Sequence, residues 1–152
     1  MAWIRSVRSR PAARLVRFDL FSVANVGEFF EKLESSPVSI NVATLVGHGS
    51  VRGRVMGGSF MRPPTSDELG RMRSLVERGM RDGALGISTG LIYLPGTFAK
   101  TDELIEVTKA AAAFDGIYVS HMRDEGNDID DSLAELFRIA REAHIRAEVS
   151  HI

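Results

Sequence analysis

The sequence predicts an α/β protein with a parallel sheet. Four short apolar runs end abruptly in small or polar residues, and segments with helical periodicity separate them. Strands joined by crossover helices make right-handed parallel connections. The order β-α-β-α-β-α-β over 152 residues therefore predicts either an open doubly wound sheet or about half of a (β/α)8 barrel, since a complete barrel needs about 250 residues.

The first helix and strand are predicted between residues 26 and 46. Apolar residues at helical spacing predict a short helix that starts near Val26 and ends before Pro37. The apolar positions of this helix are Phe29, Phe30 and Leu33. The run Val38–Val46 is β-branched and apolar at both parities, which predicts a strand buried on both faces. A loop rich in glycine, arginine and proline is expected from Gly53 to Pro64.

The second helix and strand follow this loop. Thr65 and Glu68 have the spacing of a capping box, which starts a helix that ends before Gly83. The predicted buried face consists of Leu69, Met72, Leu75, Val76 and Met80. A strand is predicted at Ala84–Thr89, with a loop from Gly90 to Lys100.

The last elements repeat the alternation. Thr101 is predicted to cap a helix that runs to about Phe114, and Ile117–Ser120 forms the third clear strand. A helix is predicted over Asp128–Ala143, and Ala147–Ser150 begins another strand. The expected apolar face of the last helix is Ile129, Leu133, Leu136, Phe137 and Ala140.

Composition excludes several classes of protein. The chain is 44% hydrophobic and 26% charged, which is typical of a soluble globular domain. Its formal net charge of −1 gives no field that attracts nucleic acid or an anionic membrane, and no stretch reaches the roughly 18 apolar residues of a membrane span. The absence of cysteine fits a reducing compartment. We therefore expect a cytoplasmic protein without nucleic-acid or membrane partners.

The amino-terminal segment differs from the rest. Five arginines precede Asp19, the first acidic residue, so residues 1–20 are interpreted as an Arg-rich extension, with a targeting leader as the alternative. Residues 21–152 are interpreted as the folded domain.

Polar residues follow the predicted strands. The carboxyl ends of parallel strands meet at one edge, where α/β proteins place their sites. The candidates at this edge are His48, Ser88, Thr89, His121, Arg123 and His151. Any one of these histidines is most simply a hydrogen-bonded core residue. Three at equivalent positions, however, indicate a metal site, because imidazole is the commonest metal-ligand side chain.

Two further features concern substrate binding. Arg123 lies two residues past a strand end, where a guanidinium can clamp a carboxylate, whereas the adjacent acids are either a charged rim or a solvated loop. Gly86–Gly90 fits the G-x-S-x-G nucleophile elbow, but that elbow turns directly into a helix and none is predicted before Thr101. Ser88 is therefore a candidate for contact with a ligand beside a tight turn.

Several motifs resemble the N-acyl-D-amino-acid deacylases (D-aminoacylases) of the amidohydrolase superfamily. The matching segments are NVATLVGHGSVRGRVMG (41–57), PPTSDELGRM (63–72), GALGISTGLIYLPGTFAKTDEL (83–104), YVSHMRDEG (118–126) and the final VSHI. They occur in the family's order and near its spacing.

The resemblance implies a zinc-dependent hydrolase with a (β/α)8 barrel of the metal-dependent hydrolase type. Such an enzyme cleaves an N-acyl-D-amino acid, a small-molecule substrate, into a carboxylate and a free D-amino acid. His151 matches a zinc ligand of the family. His121 and Arg123 match a motif near the substrate, and His48 matches a motif that is site-lining or structural.

The chain also departs from the family. Members carry an upstream His-x-His pair, a bridging cysteine, a further histidine and a late catalytic aspartate, and none of these is present. Catalytic zinc usually has three protein ligands, so the expectation is an internal fragment, about half of a barrel, that is inactive alone. Two alternatives stay open: an amidohydrolase that acts on cyclic amides (dihydroorotase-like or hydantoinase-like), and a non-catalytic module derived from a barrel. The oligomeric state is left open.

Overall fold

The computed structural model describes residues 24–35 and 38–151. The strands are β1 (Val46–Gly47), β2 (Gly86–Gly90), β3 (Ile117–His121) and β4 (Arg146–Val149). The helices are α1 (Val26–Ser35), α2 (His48–Met56), α3 (Ser66–Arg81), α4 (Thr101–Ala112) and α5 (Ile129–Ala143). Short 3-10 turns cover Gly57–Ser59 and Gly96–Phe98.

The four strands form one parallel sheet in the order β1-β2-β3-β4. Each strand therefore pairs with the next along the chain, and at least one helix connects each pair. The β2–β3 pair is the longest and runs from Gly86 opposite Ile117 to Gly90 opposite His121. The predicted parallel α/β fold is confirmed.

The core lies between the sheet and the packed helices α3, α4 and α5. Its fully buried side chains include Met72, Val76, Ile87, Leu104, Val107, Tyr118, Met122 and Ile139. The predicted α3 face contributes Met72, Val76 and Met80 to this core. The core thus covers one face of the sheet and leaves the carboxyl ends of β3 and β4 at its rim.

The start of α3 agrees with the sequence in detail. Thr65 Oγ1 accepts a hydrogen bond from Glu68 N at 3.2 Å, and Thr65 N donates to Glu68 Oε2 at 2.8 Å. Both halves of the predicted capping box are therefore present. By contrast, Thr101 is not a cap: Lys100 is the N-cap of α4, and the Thr101 hydroxyl donates to Glu135 Oε1 at 2.7 Å. The hydroxyl that the local sequence predicted to cap α4 is instead bound to Glu135 on α5.

Most of the strand predicted at Val38–Val46 is wrong. Only Val46 and Gly47 pair with β2, and Ile40 is 66% exposed. An apolar run becomes a strand only when a neighbouring strand satisfies its backbone groups, and β1 is an edge of this sheet.

A helix replaces the start of the loop predicted from Gly53. Helix α2 continues to Met56, where its fully buried Arg52 donates to Met56 Sδ at 3.0 Å and to Arg62 O at 2.9 Å. The contact within the helix and the contact with Arg62 O beyond it both stabilise a segment whose glycines disfavour a helix.

The buried face of α5 also differs from the prediction. Phe137 is 53% exposed, and the buried residues are Ser132, Leu136, Ile139 and Ala143. Ser132 lies inside because its hydroxyl accepts a hydrogen bond from Asp124 N at 2.9 Å. Leu136 of the predicted face is buried, and Ile129 and Leu133 are half-buried and pack against the core.

The Arg-rich extension predicted at residues 1–20 lies outside the described residues, and the domain boundary at residue 21 stays a prediction. Among the helices that the structure describes, none has the length and hydropathy of a membrane span.

Candidate metal centre

The parallel pairing of β3 and β4 brings two histidines together. His121 is the last residue of β3, and His151 follows β4 by two residues. Ser120 pairs with Val149, and Ser150 N donates to Ser120 O at 2.9 Å, which keeps the strands in register beyond β4. The two imidazole rings consequently lie 4.6 Å apart, measured between their centroids.

A carboxylate completes this group. Glu125 Oε1 lies 2.7 Å from His121 Nδ1 and 3.2 Å from His151 Nδ1. The turn after β3 places it there, because Asp124 Oδ1 accepts hydrogen bonds from Gly126 N and Asp128 N. Two imidazole nitrogens and one carboxylate oxygen therefore converge at the carboxyl ends of β3 and β4.

These three donors fit a metal ion. Among the described residues, neither the buried His121 Nδ1 nor the buried Glu125 Oε1 has a hydrogen-bond partner, although the two atoms are close. The contact between them has the distance of an ion pair but not the geometry of a hydrogen bond, so both atoms are available to a metal ion. Imidazole with carboxylate is a donor set that zinc accepts.

The spacing of the donors also bears on the fit. Two ligands of a tetrahedral zinc ion lie roughly 3.4 Å apart. The distance of 3.2 Å between Glu125 Oε1 and His151 Nδ1 already matches this value. The distance of 2.7 Å between Glu125 Oε1 and His121 Nδ1 would have to increase by about 0.7 Å to reach it. The His151 side chain is 59% exposed and can rotate. We call His121, Glu125 and His151 the donor group.

The loop after β2 covers one side of the donor group. The Tyr93 ring stacks on the His121 ring at 5.0 Å between centroids, with an interplanar angle of 30°. Tyr93 nevertheless remains 63% exposed. One face of the phenol ring therefore contacts the donor group while much of the ring is open.

Arg123 has protein partners throughout its guanidinium group. Nε and Nη2 donate to the two carboxylate oxygens of Glu135, each at 3.0 Å. Nη1 donates to Thr97 O at 3.1 Å, and Nη2 donates to Ala99 O at 3.0 Å. The predicted clamp on a substrate carboxylate stays a prediction, and these contacts give Arg123 an additional task.

The small residues of β2 lie within the sheet. Ser88 is half-buried and pairs with Gly47 and Val119, and it is not in the donor group. Its predicted contact with a ligand stays a prediction. No α-helix occurs between residue 88 and Thr101, and all of that range is described, so the context of a nucleophile elbow is absent.

Thr89 belongs to a buried polar cluster. Its hydroxyl donates to Ser120 Oγ at 2.9 Å and lies 3.0 Å from Tyr118 Oη. Burial raises the pKa of the Tyr118 phenol, and the bonds to Ser120 and Thr89 oppose that shift. The cluster satisfies hydroxyls inside the core and presents no group to solvent.

His48 lies apart from the donor group. It begins α2, is fully buried and has its Nε2 atom 3.0 Å from Glu103 Oε1. The expectation that three strand-end histidines meet is wrong for His48, because the ion pair of Glu103 with Arg52 draws it inward. Glu125 is the donor that the sequence pattern missed; its position four residues after a strand-end histidine was the available signal.

Comparison with known proteins agrees with the resemblance in the sequence. No family profile matches the chain. It is 42% identical over 135 residues to a D-aminoacylase of Alcaligenes xylosoxydans xylosoxydans, across 89% of this chain and 27% of that protein. An N-acyl-D-aspartate deacylase and an N-acyl-D-glutamate deacylase of the same organism are 37% and 33% identical, and the chain covers 27% and 26% of them.

Solved structures give the same relationship. A crystal structure of a D-aminoacylase, which defines a subset of the amidohydrolases, superposes with a TM-score of 0.83 at 37% identity and covers 95% of this chain and 31% of that one. Another D-aminoacylase structure, solved in work on its binuclear metal centre, has the same TM-score at 36% identity.

A third structure is the N-acyl-D-glutamate deacylase of Bordetella bronchiseptica in complex with zinc and a phosphonate inhibitor. It has a TM-score of 0.78 at 33% identity, across 82% of this chain and 26% of that one. The relatives are hydrolases that act on carbon–nitrogen bonds other than peptide bonds. Over the quarter or so of their length that it spans, this chain is a member of the N-acyl-D-amino-acid deacylase family.

Proposed function

We propose that the whole protein that contains this chain hydrolyses the amide bond of N-acyl-D-amino acids in a zinc-dependent reaction. The chain spans about a quarter of its relatives, so this activity is proposed for the whole protein and not for the 152 residues alone. The observation that carries the proposal is the convergence of the His121, Glu125 and His151 donor atoms at the carboxyl ends of β3 and β4.

The topology supports a barrel as the complete fold. Strands that pair in chain order, each joined to the next through helices, are the repeat of a (β/α)8 barrel. A doubly wound sheet would reverse its strand order at a switch point, and β1 to β4 do not reverse. We therefore propose that these strands are half of the barrel and that the donor group faces its catalytic end.

The residues have separate tasks in the proposed reaction. His151 and Glu125 would hold zinc with His121, and the open sides of His151 and Tyr93 leave room for a substrate. Bound zinc polarises the acyl carbonyl and lowers the pKa of a bound water. The Tyr93 ring shields one face of His121 from solvent. Ser88 and Arg123 remain candidate substrate contacts, and a cytoplasmic location, indicated by the lack of cysteine, belongs to the same proposal.

A first experiment measures metal binding by the 152-residue chain. Zinc titration calorimetry and the cobalt absorption spectrum are compared for wild type, Glu125→Gln and His151→Asn. Loss of a ligand should weaken binding by at least about 10-fold, on the scale by which even outer-shell changes act. His144→Asn is the matched control, because His144 is exposed and its left-handed backbone (φ 54°) tolerates asparagine. Equal affinity in all four proteins would contradict the assignment.

A second experiment measures hydrolysis by the whole protein. N-acetyl-D-methionine, its L-enantiomer and a cyclic amide such as dihydroorotate are assayed with and without zinc. Zinc-dependent cleavage of the D-enantiomer alone supports the proposal. Cleavage of the cyclic amide, or of neither kind of substrate, would overturn it.

A further inference from the structure

The turn between β3 and α5 is closed by a circuit of hydrogen bonds. Asp124 Oδ1 accepts from Gly126 N at 2.7 Å and from Asp128 N at 3.1 Å. Ser132 N donates to Asp128 O at 3.1 Å, and Ser132 Oγ accepts from Asp124 N at 2.9 Å. The bonds therefore lead from Asp124 through Asp128 and Ser132 back to Asp124. We call Asp124, Gly126, Asp128 and Ser132 the Asp124 network.

Asp124 takes part in this network with both its backbone and its side chain. Asp128 is the N-cap of α5 but makes no side-chain cap, and its own N–H is bound by the Asp124 carboxylate. A carboxylate is favoured at this end of a helix because the helix dipole is positive there. Ser132 is only 6% exposed, so solvent cannot easily replace its hydroxyl as the partner of Asp124 N. The network thus ties the turn to the first turn of α5.

Glu125 depends on this turn more than the other two donors do. His121 is the last residue of β3, and the bonding that continues past β4 places His151. Glu125 has no strand to hold it and lies between Asp124 and Gly126, two members of the network. A site residue on a loop is held only as precisely as the bonds that support that loop. The position of the Glu125 carboxylate therefore depends on the Asp124 network.

We propose that Asp124 is a positioning residue that holds Glu125 at the metal ion, through hydrogen-bond geometry and not through its charge. This inference rests on the proposed function, because it concerns the zinc site assigned there. Groups that orient a metal ligand from outside typically change metal affinity by about 10–100-fold when they are lost. Asp124 has this task for the carboxylate ligand, whereas the sheet has it for the two histidines.

The test measures the zinc affinity of the full 152-residue chain by titration calorimetry. Asp124→Ala should lower the affinity by about 10-fold or more. Asp124→Asn should retain it, because an amide oxygen can accept the same two backbone bonds. Asp130→Ala is the matched control, since Asp130 is exposed in the first turn of α5, carries the same charge and makes none of the bonds of the network.

The cobalt absorption spectrum distinguishes positioning from general destabilisation. Cobalt-loaded Asp124→Ala should have the spectrum of Glu125→Gln, because the carboxylate is missing from the metal in both. The double variant should bind zinc no more weakly than Glu125→Gln alone, since both changes remove the same ligand. A purely structural role of Asp124 would leave the wild-type spectrum in the protein that remains folded, and would overturn the proposal.

Ser132→Ala keeps the question open to test if Asp124→Ala does not fold. This change opens the network at one bond and leaves the Asp124 carboxylate in place. It should lower the zinc affinity in the same direction as Asp124→Ala and by a smaller factor. Far-UV circular dichroism checks the folding of each variant, and wild-type affinity in a folded Ser132→Ala would contradict the network.

The outcomes separate this inference from the proposed function. Unchanged zinc affinity in Asp124→Ala, in a chain whose affinity falls in Glu125→Gln, would overturn the positioning role alone. Equal losses in Asp124→Asn and Asp124→Ala, or an equal loss in Asp130→Ala, would assign the effect to charge and would also overturn it. A wild-type chain that binds no zinc would overturn the metal centre, on which this inference and the proposed function both rest.

Discussion

His48 Nε2 lies 3.0 Å from Glu103 Oε1 in the interior, and Arg52 Nε lies 3.4 Å from the same oxygen. All three residues are buried, and they connect the start of α2 to the first turn of α4. Arg52 extends the connection to Arg62 O. A buried charge that loses its partner is costly because water cannot replace that partner.

Replacement of Glu103 should therefore destabilise the fold. Glu103→Gln leaves the Arg52 charge buried without a carboxylate, so we expect the free energy of unfolding to fall by about 3 kcal/mol or more. Urea denaturation of the chain measures it. Glu106→Gln, one turn later on α4, is the control, because its ion pairs with Arg73 and Lys109 are exposed and should contribute less than about 1 kcal/mol. Equal effects of the two substitutions would contradict the importance of the buried pair.

Gly86 is required for the pairing of β2 with β3. A Cβ atom at this position would overlap Ile117 O and lie 2.7 Å from Ile117 N. Because these are backbone atoms that cannot rotate away, Gly86→Ala should destabilise the protein by at least about 2 kcal/mol. Gly70→Ala, in the open middle of α3, should instead stabilise it by about 0.5–1 kcal/mol. Thermal unfolding of both variants tests the opposite signs.

The start of α3 should respond to acid. The hydrogen bonds from the Arg62 side chain, and then from the Thr65 backbone, lower the pKa of Glu68 from 4.5 to about 2. A carboxyl group whose pKa is lowered in the folded state stabilises that state above its ordinary pKa and loses the effect as the pH falls through the folded value. The Tm difference between wild type and Glu68→Gln should thus be full above about pH 5 and shrink towards pH 2. Asp67→Asn, in the same helical turn, is the control, and a difference independent of pH would contradict the prediction.

Zinc should stabilise the isolated chain through the donor group. A ligand that binds only the folded state at 100 times its Kd adds about 2.7 kcal/mol to the free energy of unfolding. We therefore expect zinc to raise the Tm of wild type and of His144→Asn, and to have little effect on His151→Asn. Differential scanning fluorimetry with zinc, and then with a chelator, measures the shift. A similar shift in the His151 variant would place the bound ion elsewhere.

Parts of the fold and of the site were readable from local pattern. The capping box at Thr65 and Glu68 involves residues three apart, so the start of α3 depends on nothing distant. The strands β2 and β3 are central, and their apolar runs identified them. The alternation of strands and helices also predicted that His121 and His151 lie at one edge of the sheet, where their rings are 4.6 Å apart.

The sequence by itself determined the order of the strands and of four of the five described helices, the parallel sheet and the family, because these depend on periodicity, on caps and on motifs that lie within a few residues. Only the tertiary structure decided that most of Val38–Val46 is not a strand, that His48 turns inward to Glu103, 55 residues away, and that Glu125 joins the two histidines. These outcomes depend on partners that are distant in the chain. A strand needs a neighbour for its hydrogen bonds and a buried charge needs a counter-ion, and neither partner can be identified from the residues beside it.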